Sequence, residues 1–242
     1  MTILVAGATG ATGRLLVQQL LDRGDIVKMV VRDPGRLPDA VRHHPRAVVM
    51  TGTILDLSEH ELAELVLGCE AVALCLGHNL TLKGIFGQPR RLVTDTTRRL
   101  CRVIREVRPA RPVRFVLMNT VANSNRDIPE SRTVVERSVI GLIRALVPPQ
   151  PDNEEAAEHL RTEVGKDDPS IGWVAVRPDS LTDALTVTDY DVYPSPIRSG
   201  IFDPGNTSRI NVGHFMAALI GDDAMWNRWK GQMPVIYNRQ PA

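Results

Sequence analysis

Short apolar runs and longer amphipathic segments alternate along the first 120 residues. The first run, residues 3–6, leads into glycines and then into leucines at helical spacing that stop at Gly24. Later pairs predict strands at Ile26–Val31, 47–50, 71–76 and Val113–Met118, and helices at 58–67 and Leu92–Val107. Because apolar strands separated by helices are typical of a parallel sheet covered on both faces, this pattern predicts an α/β fold with a doubly wound parallel sheet.

The second half of the chain is less regular, but its pattern still predicts further elements. They are helices at 132–147, from Asp152 or Asn153 to about 164 and at 212–220, and strands at 173–176 and, as the final edge strand, 235–237. Pro148 and Pro149 end the first of these helices. We expect a single domain of 242 residues, with a core over about residues 1–180 and with residues 181–242 closing the substrate side.

Composition excludes several classes of protein. Hydrophobic residues make up 43% and charged residues 24% of the chain, which is enough apolar material for a core. The net charge of +1 and the low aromatic content (4%) argue against a nucleic-acid or anionic-membrane partner. No apolar run reaches the ~18–20 residues of a membrane helix, and the three cysteines have no metal-binding spacing. We therefore expect a cytoplasmic protein without a metal.

A glycine motif follows the first predicted strand directly. Residues 7–13 read Gly-Ala-Thr-Gly-Ala-Thr-Gly and open the first predicted helix. Gly7 permits a tight turn, Gly10 lets the backbone approach a pyrophosphate, and Gly13 lets the helix pack closely on the sheet. The helix N-terminus adds free N–H groups and a partial positive charge. The motif therefore predicts a Rossmann-like dinucleotide site, and the lack of a following Gly-Lys-Ser/Thr excludes a P-loop.

The end of the second predicted strand bears on which dinucleotide is bound. An NAD enzyme usually has an acidic residue there, whereas here Arg32 leaves the strand and Arg36 follows one helical turn later. Two guanidinium groups suit a ribose 2′-phosphate, each contact contributing ~1.5–3 kcal/mol. Asp33 favours NAD if it faces the ribose, and the two arginines are alternatively surface residues that serve solubility. We expect NADP(H) to be preferred over NAD(H).

Six segments together resemble one known family. They are VAGATGATGRLLVQQLL, VVRDPGRLP, EAVALCLG, FVLMNTVAN, VRPDSLTD and NVGHFMAALI. With them the chain resembles the atypical short-chain dehydrogenase/reductases, in the NAD(P)H-binding NmrA-like group and of the flavin reductase or biliverdin reductase B type. The resemblance covers nearly the whole chain, most strongly residues 1–120 and 171–220. It implies a Rossmann-like fold and an NAD(P)H-dependent oxidoreductase.

The resemblance also implies roles for individual positions. The pyrophosphate is surrounded by Thr9, Gly10, Ala11, Thr12 and Gly13, and the 2′-phosphate is bound by Arg32 and Arg36. At the adenine, the family usually has Gly-Asp, whereas here Thr53 and Ile54 follow the glycine and only Ile54 matches in kind. Expected along the riboses are Leu76, Gly77 and His78; expected at the nicotinamide are Asn119, Thr120, Arg177, Pro178, Ser180 and Leu181. The loop 78–87, with Lys83 and Phe86, and the segment 190–202 are expected on the acceptor side.

Residues for proton transfer are few. The Tyr-x-x-x-Lys of the better-known branch is absent, since no tyrosine has a lysine four positions on. In the NmrA-like group a Lys or His near the start of the second long helix often stands in, whereas here Glu154 and Glu155 make that start acidic. Thr120 remains as hydroxyl donor and Asn119 as polarising group. The sequence thus predicts hydride transfer from NADPH to a planar acceptor such as a flavin, a quinone or a related conjugated carbonyl.

Two other functions stay open at this point. One is a redox sensor that binds the dinucleotide without turnover, and the other is a sugar-nucleotide or other carbonyl-modifying enzyme on the same fold. The partner is a small-molecule acceptor, and the chain is a monomer or a homodimer. An apolar stripe in the helix 132–147 is either internal core or a dimer interface: Val134, Val135, Val139, Leu142, Ile143 and Leu146. His214, within an apolar helical stretch, is expected to be packed.

Overall fold

Eight strands form one sheet in the computed structural model, which describes residues 1–77 and 88–239. The strands are β1 (Thr2–Ala6), β2 (Ile26–Val31), β3 (Ala47–Thr51), β4 (Ala71–Leu74), β5 (Val113–Met118), β6 (Ile171–Pro178), β8 (Tyr190–Tyr193) and β10 (Val235–Asn238). A separate parallel pair is formed by β7 (Ser180–Thr182) and β9 (Asn206–Ser208).

Eight helices connect and cover these strands in the described part of the chain. They are α1 (Gly13–Asp22), α2 (Asp39–Arg42), α3 (Glu59–Val66), α4 (Leu92–Val107), α5 (Val134–Leu146), α6 (Pro149–His159), α7 (Arg209–Gly221) and α8 (Asp223–Trp229). A π-type turn, Leu160–Val164, continues α6. The loop 78–87, with His78, Lys83 and Phe86, lies outside the described residues.

The strand order confirms the doubly wound prediction. The order is β3-β2-β1-β4-β5-β6-β10-β8, and all neighbours are parallel except β10 and β8. The chain leaves β1 toward one edge and returns to β4 on the other side of β1. The crevice between the carboxyl ends of β1 and β4 is therefore the topological switch point, where α/β sheets bind ligands.

The apolar strands supply two cores. Ile3 and Val5 of β1 pack under α1, α7 and α8, whereas Leu4 and Ala6 pack under α3, α4 and α6. Successive strand residues point to opposite faces, so a strand between two helical layers must be apolar throughout. This explains why the β1 and β4 segments read as unbroken apolar runs.

The start of α6 corrects one prediction. The helix expected from Asp152 or Asn153 begins at Pro149, because proline is tolerated in the first turn of a helix. Asp152 instead caps α4: its carboxylate accepts hydrogen bonds from the backbone N–H groups of Val93 (2.9 Å) and Thr94 (2.8 Å). Glu154 and Glu155 thus lie inside α6 and not at its start.

The last strand corrects another prediction. The apolar run at 235–237 does form a strand, but β10 is internal, because β8 pairs antiparallel with its outer side. The true edges of the sheet are β3 and β8. Within residues 1–77 and 88–239, no helix has the length and hydropathy that crossing a membrane requires.

Candidate dinucleotide and acceptor site

The turn from β1 into α1 leaves no room for side chains at two of its glycines. Gly7 has a φ of 86°, and a Cβ atom built there lies 2.5 Å from the carbonyl oxygen of Cys75. A Cβ atom on Gly13 would overlap the carbonyl oxygen of Gly7. The motif therefore brings the start of α1 directly over the ends of β1 and β4, as its sequence predicts.

No side chain among the described residues caps the N-terminus of α1. Thr12, at the N-cap position, makes no side-chain cap hydrogen bond, and the first turn carries no acidic residue. The helical ladder starts with Arg14 N–H donating to the Gly10 carbonyl, while the N–H groups of Ala11 and Gly13 have no acceptor among the described residues. A helix end with free donors and a positive dipole end is suited to a phosphate.

Asp33 and its neighbouring arginines have different surroundings. The Asp33 carboxylate accepts a hydrogen bond from the backbone N–H of Gly35 (2.9 Å) and caps the short turn Pro34–Arg36. Arg32 and Arg36 are exposed, and no carboxylate among the described residues lies within ion-pair distance of either. The acid is thus engaged with the backbone, and the two cations are left for an anionic ligand.

The positions expected along the adenine and the riboses follow the carboxyl ends of β3 and β4. The Thr53 hydroxyl donates to Asp56 (2.7 Å), and the Ile54 side chain is buried in the core under α4. Contact between Ile54 and an adenine would therefore run through its backbone. Leu76 and Gly77 follow β4 at the crevice, and a Cβ atom on Gly77 would meet open space.

Asn119 is tied to its surroundings on both sides of its amide. Its Nδ2 donates to the carbonyl of Asn153 (2.8 Å), and its Oδ1 accepts from Thr120 N–H (2.8 Å) and from Asn123 Nδ2 (3.3 Å). An amide oxygen with two donors has its acceptor capacity filled. This geometry lets Asn119 position Thr120, and the second N–H of its Nδ2, which has no acceptor among the described residues, leaves the polarising role as a prediction.

Thr120 has a free hydroxyl proton. It is half-buried at the end of β5, and its Oγ1 accepts a long hydrogen bond from the N–H of Ala122 (3.3 Å). The hydroxyl donates to no acceptor among residues 1–77 and 88–239. Both residues predicted to act on the acceptor therefore retain a donor that a ligand can use: the Thr120 hydroxyl and the second N–H of Asn119 Nδ2.

Arg177 is not available to a cofactor, which corrects one sequence-based assignment. Its side chain is fully buried, and it donates to the carbonyls of Met233 (2.7 Å), Asn123 (2.7 Å) and Pro194 (3.2 Å). The carboxylate of Glu130 lies 2.6 Å from Nη1. Burial lowers the pKa of Arg177, and the charge of Glu130 opposes that shift. Pro178 is likewise buried. The Arg177 side chain thus holds together the segments around residues 123, 194 and 233.

A cavity of about 130 Å³ is lined by Val121, the residue that follows Thr120 in the chain. Its apolar walls are Val121, Ile140, Ile143 and Ile201. Glu136 supplies a charged group, which accepts hydrogen bonds from Ser199 Oγ and from the backbone of Thr133; the Ser199 hydrogen bond lowers its pKa. The segment 190–202, expected on the acceptor side, therefore contributes one wall. Sequence reasoning missed Glu136, although Thr133-x-x-Glu136 is a capping-box pattern.

The structure corrects the sequence-based description of His214 and agrees with that of Cys75. His214 is exposed, not packed, and its Nδ1 lies 2.8 Å from the Tyr190 hydroxyl, whose pKa burial raises to about 12. Tyr190 is on β8, three strand positions or about 14 Å from β5, so the pair is remote from Thr120. Burial also raises the pKa of Cys75 to about 12, in line with an unreactive core thiol. The described residues contain no cluster of metal ligands.

Comparison with known proteins identifies the family. A family model described as NAD(P)H-binding matches residues 7–223, which is most of the chain. Among curated proteins, none matches the sequence. The resemblance drawn from the six sequence segments is therefore confirmed at the level of the family.

Solved structures match nearly the whole chain at low identity, which shows a shared fold. A short-chain dehydrogenase/reductase from Veillonella parvula, solved with NADP, is 16% identical, covers 98% of this chain and 94% of its own, and has a TM-score of 0.70. A candidate NADH-flavin reductase from Streptococcus pneumoniae is 14% identical, with coverage of 99% and 100% and a TM-score of 0.63. The anaerobilin reductase ChuY from Escherichia coli O157:H7 is 14% identical, with full coverage of both chains and a TM-score of 0.68.

Proposed function

The chain belongs to the NAD(P)H-binding family, and we propose that it is an NADPH-dependent reductase of planar conjugated acceptors. The observation that carries the proposal is the pairing of an uncapped α1 N-terminus with two exposed, unpaired arginines at the end of β2. The first feature suits a pyrophosphate, and the second suits a 2′-phosphate on the same dinucleotide.

The preference for NADP(H) rests on the residues after β2. Asp33 caps the turn that follows it, where its Oδ1 accepts a hydrogen bond from Gly35 N–H (2.9 Å), so only part of its acceptor capacity is left for a ribose hydroxyl. Arg32 and Arg36 have no carboxylate partner in the part of the chain that the structure describes. One structural relative was solved with NADP and another is named for NADH, so the relatives do not decide between the two cofactors.

The acceptor side suits a flat, mostly apolar ring. When bound, the reduced nicotinamide supplies the hydride, and the protein has to position the acceptor and exclude water. Val121, Ile140 and Ile201 provide apolar walls, and Thr120, next to Val121 in the chain, provides one hydroxyl donor. Asn119 holds Thr120 in place, because its side-chain Oδ1 accepts a hydrogen bond from the backbone N–H of Thr120. Flavins and quinones take their proton from solvent, which fits a site without a dedicated acid.

A redox sensor is the second candidate. The chain lacks Tyr-x-x-x-Lys, and the two acids in the expected stand-in region are engaged elsewhere: Glu154 pairs with Arg144, and Glu155 with Arg91. Neither acid is therefore free to transfer a proton. A sensor binds the dinucleotide through the same loop but does not turn over, so kinetics separates it from a reductase.

The deciding experiment combines calorimetric titration with an acceptor screen. NADPH, NADP⁺ and NADH are titrated into the wild type, Arg32→Glu and the control Arg111→Glu. The control changes an exposed arginine just before β5, at the amino-terminal ends of the strands. We expect Arg32→Glu to weaken NADPH binding by about 10- to 100-fold, as the loss of one charge-assisted contact implies, and the control to bind normally. NADPH oxidation is then followed with FMN, a quinone and a bilin.

Each result has a defined meaning. Equal affinity of wild type for NADPH and NADH would contradict the phosphate assignment, and absence of binding would refute the cofactor site. NADPH binding without oxidation by any of the three acceptors would favour the sensor.

A further inference from the structure

Helix α5 presents an uncharged face to solvent. Seven of its residues lie on an arc of about 140° at 100° per residue, and all of them are exposed: Val134, Val135, Ser138, Gly141, Leu142, Ala145 and Leu146. The four large ones have exposed fractions of 69%, 59%, 59% and 60%. Only Glu136 and Ile140, on the opposite side, are buried.

The outward arc differs from the exposed face of an ordinary solvated helix. Such a helix buries its apolar stripe and turns its charged residues outward. Helix α5 does place Ile140, Val139 and Ile143 toward the body of the protein, but its two arginines lie beside the outward arc and not on it, so both sides of the helix are largely apolar. An apolar face on the solvent side is a candidate contact surface.

The arc is complementary to itself when two copies of α5 run antiparallel about residue 140. Leu142 then faces Ser138 and Val135 faces Ala145, while Gly141, where no atom lies within 4 Å of a built Cβ, leaves room at the margin of the arc. A large residue thus meets a small one at each of these positions, which permits close helix packing. The remaining pair, Val134 and Leu146, is apolar on both sides. We infer that α5 is the seam of a two-fold symmetric homodimer.

The exposed area sets the strength of this dimer. A buried Val or Leu side chain removes on the order of 100 Å² from water, so the four large residues contribute roughly 250 Å² per copy. A standard stable interface buries about 800 Å² per partner. The seam alone therefore supports a reversible dimer that dissociates on dilution.

A second copy fits this face better than a lipid surface does. Helices that lie in a membrane interface are rich in Lys and Arg on their polar face. Helix α5 has two arginines and one glutamate, and Arg144 is already paired with Glu154 at 2.7 Å. Its charge offers little attraction to anionic lipid.

Sedimentation velocity from about 1 µM to about 200 µM tests the inference, since this range spans weak association. The samples are the wild type, Leu142→Glu and the control Leu67→Glu, which places the same charge on another exposed leucine, 54% accessible and beyond the end of α3. We expect a concentration-dependent dimer for the wild type and for Leu67→Glu, and a monomer throughout for Leu142→Glu. Thermal melts of the three proteins establish that each is folded.

A thiol cross-link tests the geometry independently. The three native cysteines are buried, so a bismaleimide of about 10 Å reach, matched to two helices 8–10 Å apart, reacts with an added cysteine only. Ser138→Cys is expected to form covalent dimers, whereas the control Leu67→Cys is not.

Three outcomes would overturn the dimer: a monomeric wild type at every concentration, equal dimerisation of Leu142→Glu, or equal cross-linking at both cysteine positions. A monomer that floats with phosphatidylglycerol vesicles would assign the face to lipid instead.

Discussion

Substitution of the buried Arg177 tests whether this residue supports the fold or binds the cofactor. Replacement by methionine removes the cation from three carbonyls and from the Glu130 carboxylate 2.6 Å away. Removing one partner of a buried ion pair costs about 3–5 kcal/mol when the other charge is left without compensation. Here Glu130 keeps a weaker partner in Arg132, 3.5 Å away. Total stabilities are only about 5–15 kcal/mol, so this loss is a large fraction of the whole.

Urea unfolding of three variants measures the effect. We expect Arg177→Met to lower the unfolding free energy by about 3 kcal/mol, the low end of that range, because Arg132 still faces Glu130. The double variant Arg177→Met/Glu130→Gln should recover part of that loss, because the poorly compensated charge is gone. Arg126→Met is the control, since Arg126 is exposed and its ion pair with Glu158 contributes little. NADPH affinity is measured on the same preparations below the unfolding transition.

The opposite pattern would refute this reasoning. If Arg177→Met unfolds like the wild type but binds NADPH at least tenfold more weakly, Arg177 contacts the cofactor after all. Equal stability of the single and double variants would show that Glu130 is not left stranded.

Three further predictions follow from the contacts at the site and at its supports. Thr120→Val should slow acceptor reduction while NADPH affinity stays unchanged, which steady-state kinetics and calorimetry resolve; an unchanged rate with every acceptor removes its role. Asp152→Ala should lower the unfolding free energy by about 2–4 kcal/mol, since it leaves two buried N–H groups of α4 without acceptors; a loss below ~0.5 kcal/mol would contradict the cap. Because its folded pKa is lowered, Glu136 adds stability that is present above its ordinary pKa of 4.5 and is lost as the pH falls. Glu136→Gln should therefore flatten the decline in melting temperature below pH 5, and an identical decline would contradict this assignment.

Local signals account for what the sequence predicted well. The glycines at positions 7–13 act on their immediate neighbours, so the turn, the start of α1 and its free N–H groups follow from seven residues. The positions of Arg32 and Arg36 follow from the end of β2 in the same way. Apolar runs also sufficed for the parallel strands, because burial on both faces removes the alternation that other strands show.

Long-range contacts account for what the sequence did not predict. Asp152 reads as the start of its own helix, but it caps a helix nearly 60 positions earlier in the chain. Arg177 reads as a ligand-facing cation, but segments around residues 123, 194 and 233 converge on it. The pairing of β8 outside β10 is likewise decided by packing, since both are short strands with similar local patterns.

The first turn of α6 holds two neighbouring segments through adjacent residues. Asp152 holds the beginning of α4, and the carbonyl of Asn153 holds Asn119 at the end of β5. The relative placement of these two segments is thus set by a helix that contributes no predicted site residue. A change in this one turn would therefore move the start of α4 and the end of β5 together, and Thr120 with them.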